Sequence, residues 1–482
     1  MSISQSLQNA LSGLNANARA AEIVSANLAN VMTEGYGPRQ LELSSMNVGG
    51  HGAGVRIDGV VRLVDRGLLA DRRISDADHQ RNGMLHDAFV RMEDALGGID
   101  DAHSIGSRVG QVEQALIFAA SDPSSDQRLR QVVSGFDSLA TTLNTASDSV
   151  QQMREEADAS IASQVDTLNR TLRNVEALNG DISRALNSGY DATALFDQRQ
   201  RLVDEISGIV PLRQMDRSNG QIALMTTTGF QLVDGTSAEI EFTPTAVITP
   251  DMTYGSGALS GLTIDGVPFP SGEAAGPFEG GTLGAAFELR DQELVGVQDH
   301  LDAVARNLIE RFQDPAVDPS LGATDAGLLT DRGAQFDVLD TVGLAGRISI
   351  NPNIDPNQGG LLSRLRDGVQ AATVGPVGDT SMLNGWLSAL QESRSLHTGG
   401  MTGSAASHGS AVHTSIGAMR INQESDVAVS SARWGALKNA ELANGVDTDY
   451  EMQRLLVIEE SYAANAKVIQ TINSLMQTLM EI

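Results

Sequence analysis

The sequence predicts a mainly α-helical protein: a long-helix bundle body, terminal helices forming an α-helical coiled-coil domain, and one small β domain inserted between helices. Three observations lead there. Apolar and small residues recur at alternating steps of four and three at both ends of the chain. The run between Gly135 and Gly180 keeps a heptad rhythm without Gly or Pro. Between two helical runs the pattern gives way to short β-rich segments bounded by turn residues.

Composition narrows the function. At 482 residues and 41% hydrophobic content the chain can bury sizeable cores and divides into about two to four domains. Acidic residues outnumber basic ones 61 to 33, and a net charge of -28 argues against nonspecific binding to nucleic acid or anionic membrane. Cysteine is absent, which removes disulfides, thiol catalysis and cysteine-ligated zinc or iron–sulfur sites. The N-terminus has no basic head followed by an apolar core, and no run nears the roughly 20 apolar residues of a spanning helix. Neither a cleaved signal peptide nor a membrane anchor is expected, so an exported product needs a route that reads no such signal.

At the N-terminal end Leu7, Leu11, Leu14, Ala18, Ala21, Ser25 and Leu28 form a heptad seam. At the C-terminal end Leu455, Ile458, Tyr462, Asn465, Ile469, Ile472, Met476 and Leu479 form another, in which Asn465 is the fully polar member that fixes register. At 1.5 Å per residue the seams run about 32 and 36 Å. Matched lengths at opposite ends of the chain suit pairing with each other and with neighbouring subunits.

The first seam runs into SANLANVMTEGYGPRQ. Asn27 and Asn30 can bond free backbone groups or take the left-handed conformation at a helix end, Gly35 supplies positive φ, and Pro38 forbids continuation. Asn27, Asn30, Thr33, Gly35 and Tyr36 thus read as a helix-exit motif that turns the chain into RQLELSS, with strand alternation. The glycine-rich GGHGAGVRIDG that follows reads as a flexible loop between strands. Val55 stands where a dinucleotide pattern counted from Gly50 needs its last glycine, and no lysine follows for a phosphate loop.

In the middle, DPSSDQRLRQVV offers a helix start, with Ser124 as cap and Gln127 completing a capping box. Phe136, Leu143, Val150 and Ala157 then hold a seven-residue repeat, joined by Leu139, Ala146 and Met153. The repeat skips four and resumes at Ile161, Leu168 and Val175 with Val165 and Leu172, a stutter that locally unwinds a coiled coil. After NSGYD a second helix, ATALFDQRQRLVDEISGIV, stops before Pro211. QIALMTTTGFQLVDG and AEIEFTPTAVITP are the β-rich runs, and Leu294, Val297, Leu301, Val304, Leu308 and Phe312 restore the helical body. HTGGMTGSAASHGS is expected to interrupt the last helical stretch. The organisation expected is a terminal coiled-coil tube domain (1–35 plus 445–482), a helical body (36–210, 281–313 and 378–444), a small β domain (211–280) and a mixed insertion (314–377).

LSGLNANARAAEIVSANLANVMTEGYGPRQ resembles the N-terminal signature of bacterial flagellar rod, hook and hook-associated proteins, and GVDTDYEMQRLLVIEESYAANAKVIQTINSLMQTLMEI resembles their C-terminal signature. Met32 departs from the asparagine common there, which puts the shape of the exit turn in question. Hook proteins are dominated by strands between their ends, whereas the long helix, DQRQRLVDEISGIV and GGTLGAAFELRD resemble the hook-associated branch. The resemblance implies a structural junction between hook and filament, self-assembling into a ring or tube and touching the hook protein and the next hook-associated protein. It also implies secretion, unfolded, through the flagellar type III route to the extracellular flagellum, with an export chaperone on the C-terminal helix.

No catalytic, cofactor-binding or metal-ligating residues are expected, and neither nucleic-acid binding nor membrane insertion. His397, His408 and His413 come nearest to a metal cluster, but their spacing matches no helical His-x-x-x-His pair. Asp447, Asp449 and Glu451 alternate as in a calcium loop that lacks its central glycine, and are read instead as negative charge favouring the N-terminus of the last helix. Asp197, Arg199, Arg201, Asp204 and Glu205 mix signs at helical spacing and read as surface ion pairs or a contact to a neighbouring subunit. The competing functions are a secreted hydrolase or adhesin carried by the β domain, a regulatory coiled coil, or, within the family, a hook or other hook-associated protein. The β segment shows no convergent carboxylate pair, His–Ser pairing or metal set to favour the first.

Overall fold

A computed structural model describes residues 3–33, 35–48, 51–98, 101–268, 275–396 and 402–481. Helix α1 (Ile3–Ala29) leads into an antiparallel ribbon of β1 (Arg39–Val48) and β2 (His51–Arg62). Four helices follow: α2 (Arg66–Leu96), α3 (Ile105–Ala120), α4 (Asp126–Asn187) and α5 (Thr193–Ile209). β3 (Leu212–Asp216), β4 (Ile222–Thr226), β5 (Gln231–Asp234) and β6 (Thr236–Ser237) form one antiparallel sheet. β7 (Ile240–Glu241), β8 (Thr263–Ile264) and β9 (Val267–Pro268) form a second. α6 (Gly281–Glu288) joins α7 (Leu294–Phe312) through a π-helical turn, Leu289–Glu293. Beyond it come the paired β10 (Leu329–Asp331) and β11 (Ile348–Ile350), then α8 (Arg364–Asp367) and α9 (Ser381–Gln391). A short hairpin, β12 (Arg394–Ser395) with β13 (Thr402–Gly403), precedes α10 (Ala405–Ala443) and α11 (Thr448–Met480).

The 62-residue α4 is the spine. Its heptad positions Phe136, Leu139, Leu143, Ala146, Val150, Met153 and Ala157 lie in one core with α3, α7 and α9, while Ile161, Val165, Leu168, Leu172 and Val175 lie in a second with α5, α6 and the two sheets. The boundary falls at the stutter. A skip of four residues rotates the buried stripe, and the positions brought inward there are Arg154 and Asp158, both fully buried. Arg290 of the facing π-turn donates from Nη1 to Asp158 Oδ1 at 2.6 Å, and Arg154 Nε donates to the Arg290 carbonyl at 2.9 Å. A π-turn leaves backbone carbonyls offset from the regular ladder, so a guanidinium can satisfy one of them. The helix starts differently from expectation: Ser125, not Ser124, is the N-cap and makes no side-chain cap bond, and the Ser124 hydroxyl donates to Asp122 Oδ1 at 2.6 Å instead of capping the helix.

The protein is mostly helical with a small inserted β domain, and that domain shares its core with the helices: Leu212, Ile222, Leu224, Leu232, Val233, Ile240, Leu262 and Ile264 pack together with α4 and α5. Residues 314–377 also contribute to the helical core. Leu328, Leu344, Ile348, Ile354 and Leu365 belong to the core of α4 and α7, where Asp302 accepts from the amides of Gly343 (2.7 Å) and Ala345 (2.8 Å). His51 to Arg62 is a paired strand rather than a loop, its register shifts absorbing the glycine-rich sequence. The Gly/Ser-rich segment after Thr402 opens α10, capped by Ser404, and its small residues allow close approach to α3, where a Cβ on Gly409 would stand 2.9 Å from the Gly106 nitrogen. α2 and α3 lie within the stretch expected as helical body (36–210), where the spacing marked no individual helix before Pro123.

Among the described residues no group of three His, Cys, Asp or Glu could hold a metal ion, and no helix is long and apolar enough to cross a membrane. His408 Nε2 lies 2.9 Å from the Arg394 carbonyl and His413 Nε2 3.8 Å from Glu93, while His397 falls outside the described residues.

Candidate assembly interface

The two ends of the chain lie side by side. Asn17 Nδ2 donates to Ser461 Oγ at 2.9 Å, Asn27 Nδ2 to Glu451 Oε1 at 2.7 Å, and a Cβ on Gly13 would stand 2.8 Å from Asn465 Nδ2. Each step forward along α1 is matched by an equal step back along α11, so the pair is antiparallel and in register. On α1 the contact stripe runs through Ala10, Gly13, Asn17, Ala20, Val24 and Asn27, a heptad rhythm of small and polar residues. The β1–β2 ribbon covers a neighbouring side: Val55 N donates to Ser12 Oγ at 3.1 Å, and Ala20 and Ile23 cluster with Leu41, Val60 and Ile458.

The seam of larger residues on α1 is therefore not the one that meets α11. Leu7, Leu11, Leu14, Ala18, Ala21, Ser25 and Leu28 lie about a quarter turn away. Leu7, Leu14, Ala21 and Leu28 are half-buried, Ala18 and Ser25 are exposed, and Leu11 is 46% exposed. The C-terminal seam divides. Ile458 and Asn465 face α1, and Ile472, only 6% exposed, continues their seven-residue step. Leu455 and Ile469 are half-buried; Tyr462, Met476 and Leu479 are exposed. Periodicity finds the stripe with the most leucine, whereas close backbone approach favours small side chains, and nothing in the spacing separates the two.

The exit motif closes the helix and ties it to the body. Asn27 is fully buried and uses its whole amide: Nδ2 donates to Glu451 and to the Arg39 carbonyl (3.0 Å), and Oδ1 accepts from Tyr36 Oη (2.8 Å) and Arg39 N (3.0 Å). Asn30 Nδ2 bonds the Ala26 carbonyl at 2.8 Å and Thr33 Oγ1 bonds Asn30 Oδ1 at 3.2 Å. Gly35 takes φ +73°, and a Cβ there would stand 2.8 Å from Arg201 Cγ. Met32 is 93% exposed, so its departure from asparagine leaves these bonds untouched. Burial raises the Tyr36 phenol above its ordinary value, with Arg39 opposing and Asp197 and Glu451 adding.

Asp197 of α5 anchors the node, accepting from Arg39 Nη2 (2.9 Å), Arg62 Nε (2.6 Å) and Gly37 N (3.2 Å). Together with Asp204, which binds Arg72 and Arg73 at 2.7 and 2.6 Å, it corrects the reading of α5 as a surface charge run: Asp197 and Arg199 are buried, Asp204 is half-buried, and Arg201 and Glu205 are exposed. α5 packs between α4, α2 and the base of the ribbon, which turns its polar face inward. Asp447 caps α11 by accepting from Asp449 N and Tyr450 N at 2.9 and 3.0 Å. The sequence reading missed Glu451 as a partner of Asn27, Arg39 and Arg62 as ligands of Asp197, and the small-residue stripe.

What remains open on this pair is apolar. Of the described residues of α11 only Glu451 and Ile472 are buried, whereas Tyr450, Met452, Leu456, Val457, Tyr462, Val468, Leu475, Met476, Leu479 and Met480 are exposed. A helix with apolar residues around most of its circumference and one partner helix is built to be covered further.

Three protein-family profiles match the chain: "Flagella basal body rod protein" over residues 7–36, "Flagellar hook-associated protein FlgK helical domain" over 89–315, and "Flagellar basal body rod FlgEFG protein C-terminal" over 442–482. The chain belongs to the flagellar rod, hook and hook-associated protein family. Among its relatives, flagellar hook-associated protein 1 of Escherichia coli (strain K12) is 24% identical over 327 residues, covering 64% of this chain and 56% of that protein. The protein of the same name from Salmonella typhimurium is 28% identical over 249 residues, covering 49% and 44%. The chain thus spans about half the length of the curated relatives it matches. A solved structure, that of the flagellar hook junction protein FlgK from Burkholderia pseudomallei, aligns at 18% identity with a TM-score of 0.44 over 55% of this chain and 46% of that one.

Proposed function

We propose that this chain is a non-enzymatic structural component of the bacterial flagellum that joins hook to filament, assembling with further copies through the outward faces of α1 and α11. The observation that carries the reading is the exposed apolar circumference of α11 beside the outward leucine stripe of α1. Burying one leucine or valine of that surface is worth about 1.5 to 3 kcal/mol, so a few such contacts per neighbour favour a closed ring or tube of copies. The hook protein and the next hook-associated protein are the flanking partners proposed. Secretion by the flagellar export route, with a chaperone holding α11 beforehand, accounts for an apolar helix that would otherwise meet water alone.

Leu456→Glu and Leu11→Glu place charge on this outer surface without entering the α1–α11 contact. Each variant should melt like the wild type when purified, yet fail to join isolated hooks, leaving cells with hooks but without filaments. Normal incorporation of both variants would sink the proposal.

A further inference from the structure

A cleft of about 510 Å³ opens between the base of the ribbon, α2, α5 and β3. Five arginines line it, Arg62, Arg66, Arg73, Arg199 and Arg217, against one carboxylate, Asp216, in a chain of net charge -28. The surrounding ion pairs do not cancel the excess. Asp197 is shared by Arg39 and Arg62, and Asp204 by Arg72 and Arg73; Glu441 reaches Arg72, while Asp216 and Asp234 hold Arg66 and Arg217.

Arg199 has no such partner. It is 6% exposed, its Nη1 donates only to neutral acceptors, Asn179 Oδ1 and the Gly220 carbonyl, both at 2.7 Å, and among the described residues it forms no ion pair. Arg73, 2% exposed, bonds Asp204 through Nε and Gln214 through Nη1 but leaves its buried Nη2 without a hydrogen-bond partner. A buried cation lacking a counter-charge is costly, and the Phe196 ring 5.1 Å from Arg199 offsets little of that cost. Burial, with repulsion from Arg62 and Arg73, pulls the Arg199 guanidinium down to about 10.

We propose that this cleft binds an oxyanion, a phosphate or carboxylate group held between Arg73 and Arg199. Guanidinium forks fit such planar or tetrahedral oxygen sets, and the orphaned Nη2 supplies a donor that no protein group uses. The source is either a free anion or a carboxylate carried by a second copy of this acidic chain. The site lies on the body, and its occupancy is independent of the role proposed for the terminal helices.

The test titrates the intact chain with inorganic phosphate by calorimetry at constant ionic strength, and follows its self-association by sedimentation. Two variants are compared. Arg199→Met removes the unpaired cation; Gln214→Glu sets a carboxylate against Arg73 with little change in shape and leaves every arginine in place. The expected result for a free anion is saturable phosphate binding by the wild type, weakened about tenfold or more in both variants. The expected result for a carried carboxylate is self-association of the wild type that phosphate dissociates and that Gln214→Glu abolishes. Gln214→Glu keeps every arginine and gives up only a long 3.5 Å bond from Gln214 Nε2 to Asp216 Oδ1, so it decides the matter even if Arg199→Met fails to fold. Phosphate binding and self-association that are both absent, or both unchanged by Gln214→Glu, would overturn the proposal.

Discussion

Asn27 and Glu451, 424 positions apart in the chain, share a buried hydrogen bond of 2.7 Å. It joins the last turn of α1 to the first turn of α11, at the point where the exit segment turns towards Asp197. Both helix ends are therefore held by one residue whose remaining bonds go to the Tyr36 hydroxyl and the Arg39 backbone. The terminal pair hangs from the body by this node.

Asn27→Ala should loosen the pair without harming the body. It removes four hydrogen bonds and leaves the Glu451 carboxylate buried without a donor, where an unsatisfied buried group costs about 1 to 3 kcal/mol, and more when charged. Hydrogen exchange on the monomer should show faster exchange in α1 and the start of α11, with α4 protected as in the wild type. Unchanged exchange in α1 would contradict the node.

Tyr36 gives the node a signature at alkaline pH. Its phenol is raised by burial, so the folded state holds the proton more tightly than the unfolded chain. The stability this contributes is fully present below the unfolded value near 10 and is lost as pH rises through the higher folded value. Of the five tyrosines, one should therefore ionise late in an absorbance titration of the native protein and be missing in Tyr36→Phe. Below pH 10 that variant should be less stable by about 0.5 to 1.5 kcal/mol, the worth of one hydrogen bond.

Asp158→Asn tests the polar joint between the two cores. Asp158 accepts from Arg290 Nη1 at 2.6 Å and from Thr245 N at 2.7 Å, and both charged side chains are fully buried. Removing one partner of a buried pair costs about 3 to 5 kcal/mol, reduced here because Asp291 also holds Arg290 at 2.7 Å. Denaturant unfolding should show the loss, and the double variant with Arg290→Met should recover part of it.

Two glycines should respond in opposite directions. Gly409→Val forces a side chain into the crossing with α3, where the obstacle is backbone 2.9 Å away, and overpacking of this kind costs about 1 to 3 kcal/mol. Gly180→Ala, inside α4 with nothing within 4 Å of the added Cβ, should stabilise by about 0.5 to 1 kcal/mol. Thermal melting of both variants reads the contrast directly.

Replacing residues 212–278 by a short linker should abolish cooperative unfolding of the second core. The chain does come back on itself, since a Cβ on Gly280 would stand 3.0 Å from Pro211 Cγ. Yet removing the sheets would strip the cover from Ile161, Val165, Leu168, Leu172 and Val175. A single cooperative transition after the deletion would show that the second core stands without the sheets.

The sequence by itself determined α4 and α7. Each repeats an apolar period set by its own backbone, so the burial of Phe136 to Val175 and of Leu294 to Phe312 follows from spacing that any helix of that sequence must present. It also determined the stop after Asn27 and Asn30, because Gly35 and Pro38 act on the local chain whatever surrounds them. Only the tertiary structure decided which face of α1 meets α11. A stripe of Ala, Gly and Asn carries no strong hydrophobic signal, and its value lies in how near a second backbone can come. Only the tertiary structure, likewise, turned Asp197 and Arg199 inward, since charge spacing along α5 is the same whether the helix faces water or a ribbon. The β segment and residues 314–377 owe their place to cores assembled from distant parts of the chain, which local periodicity cannot express.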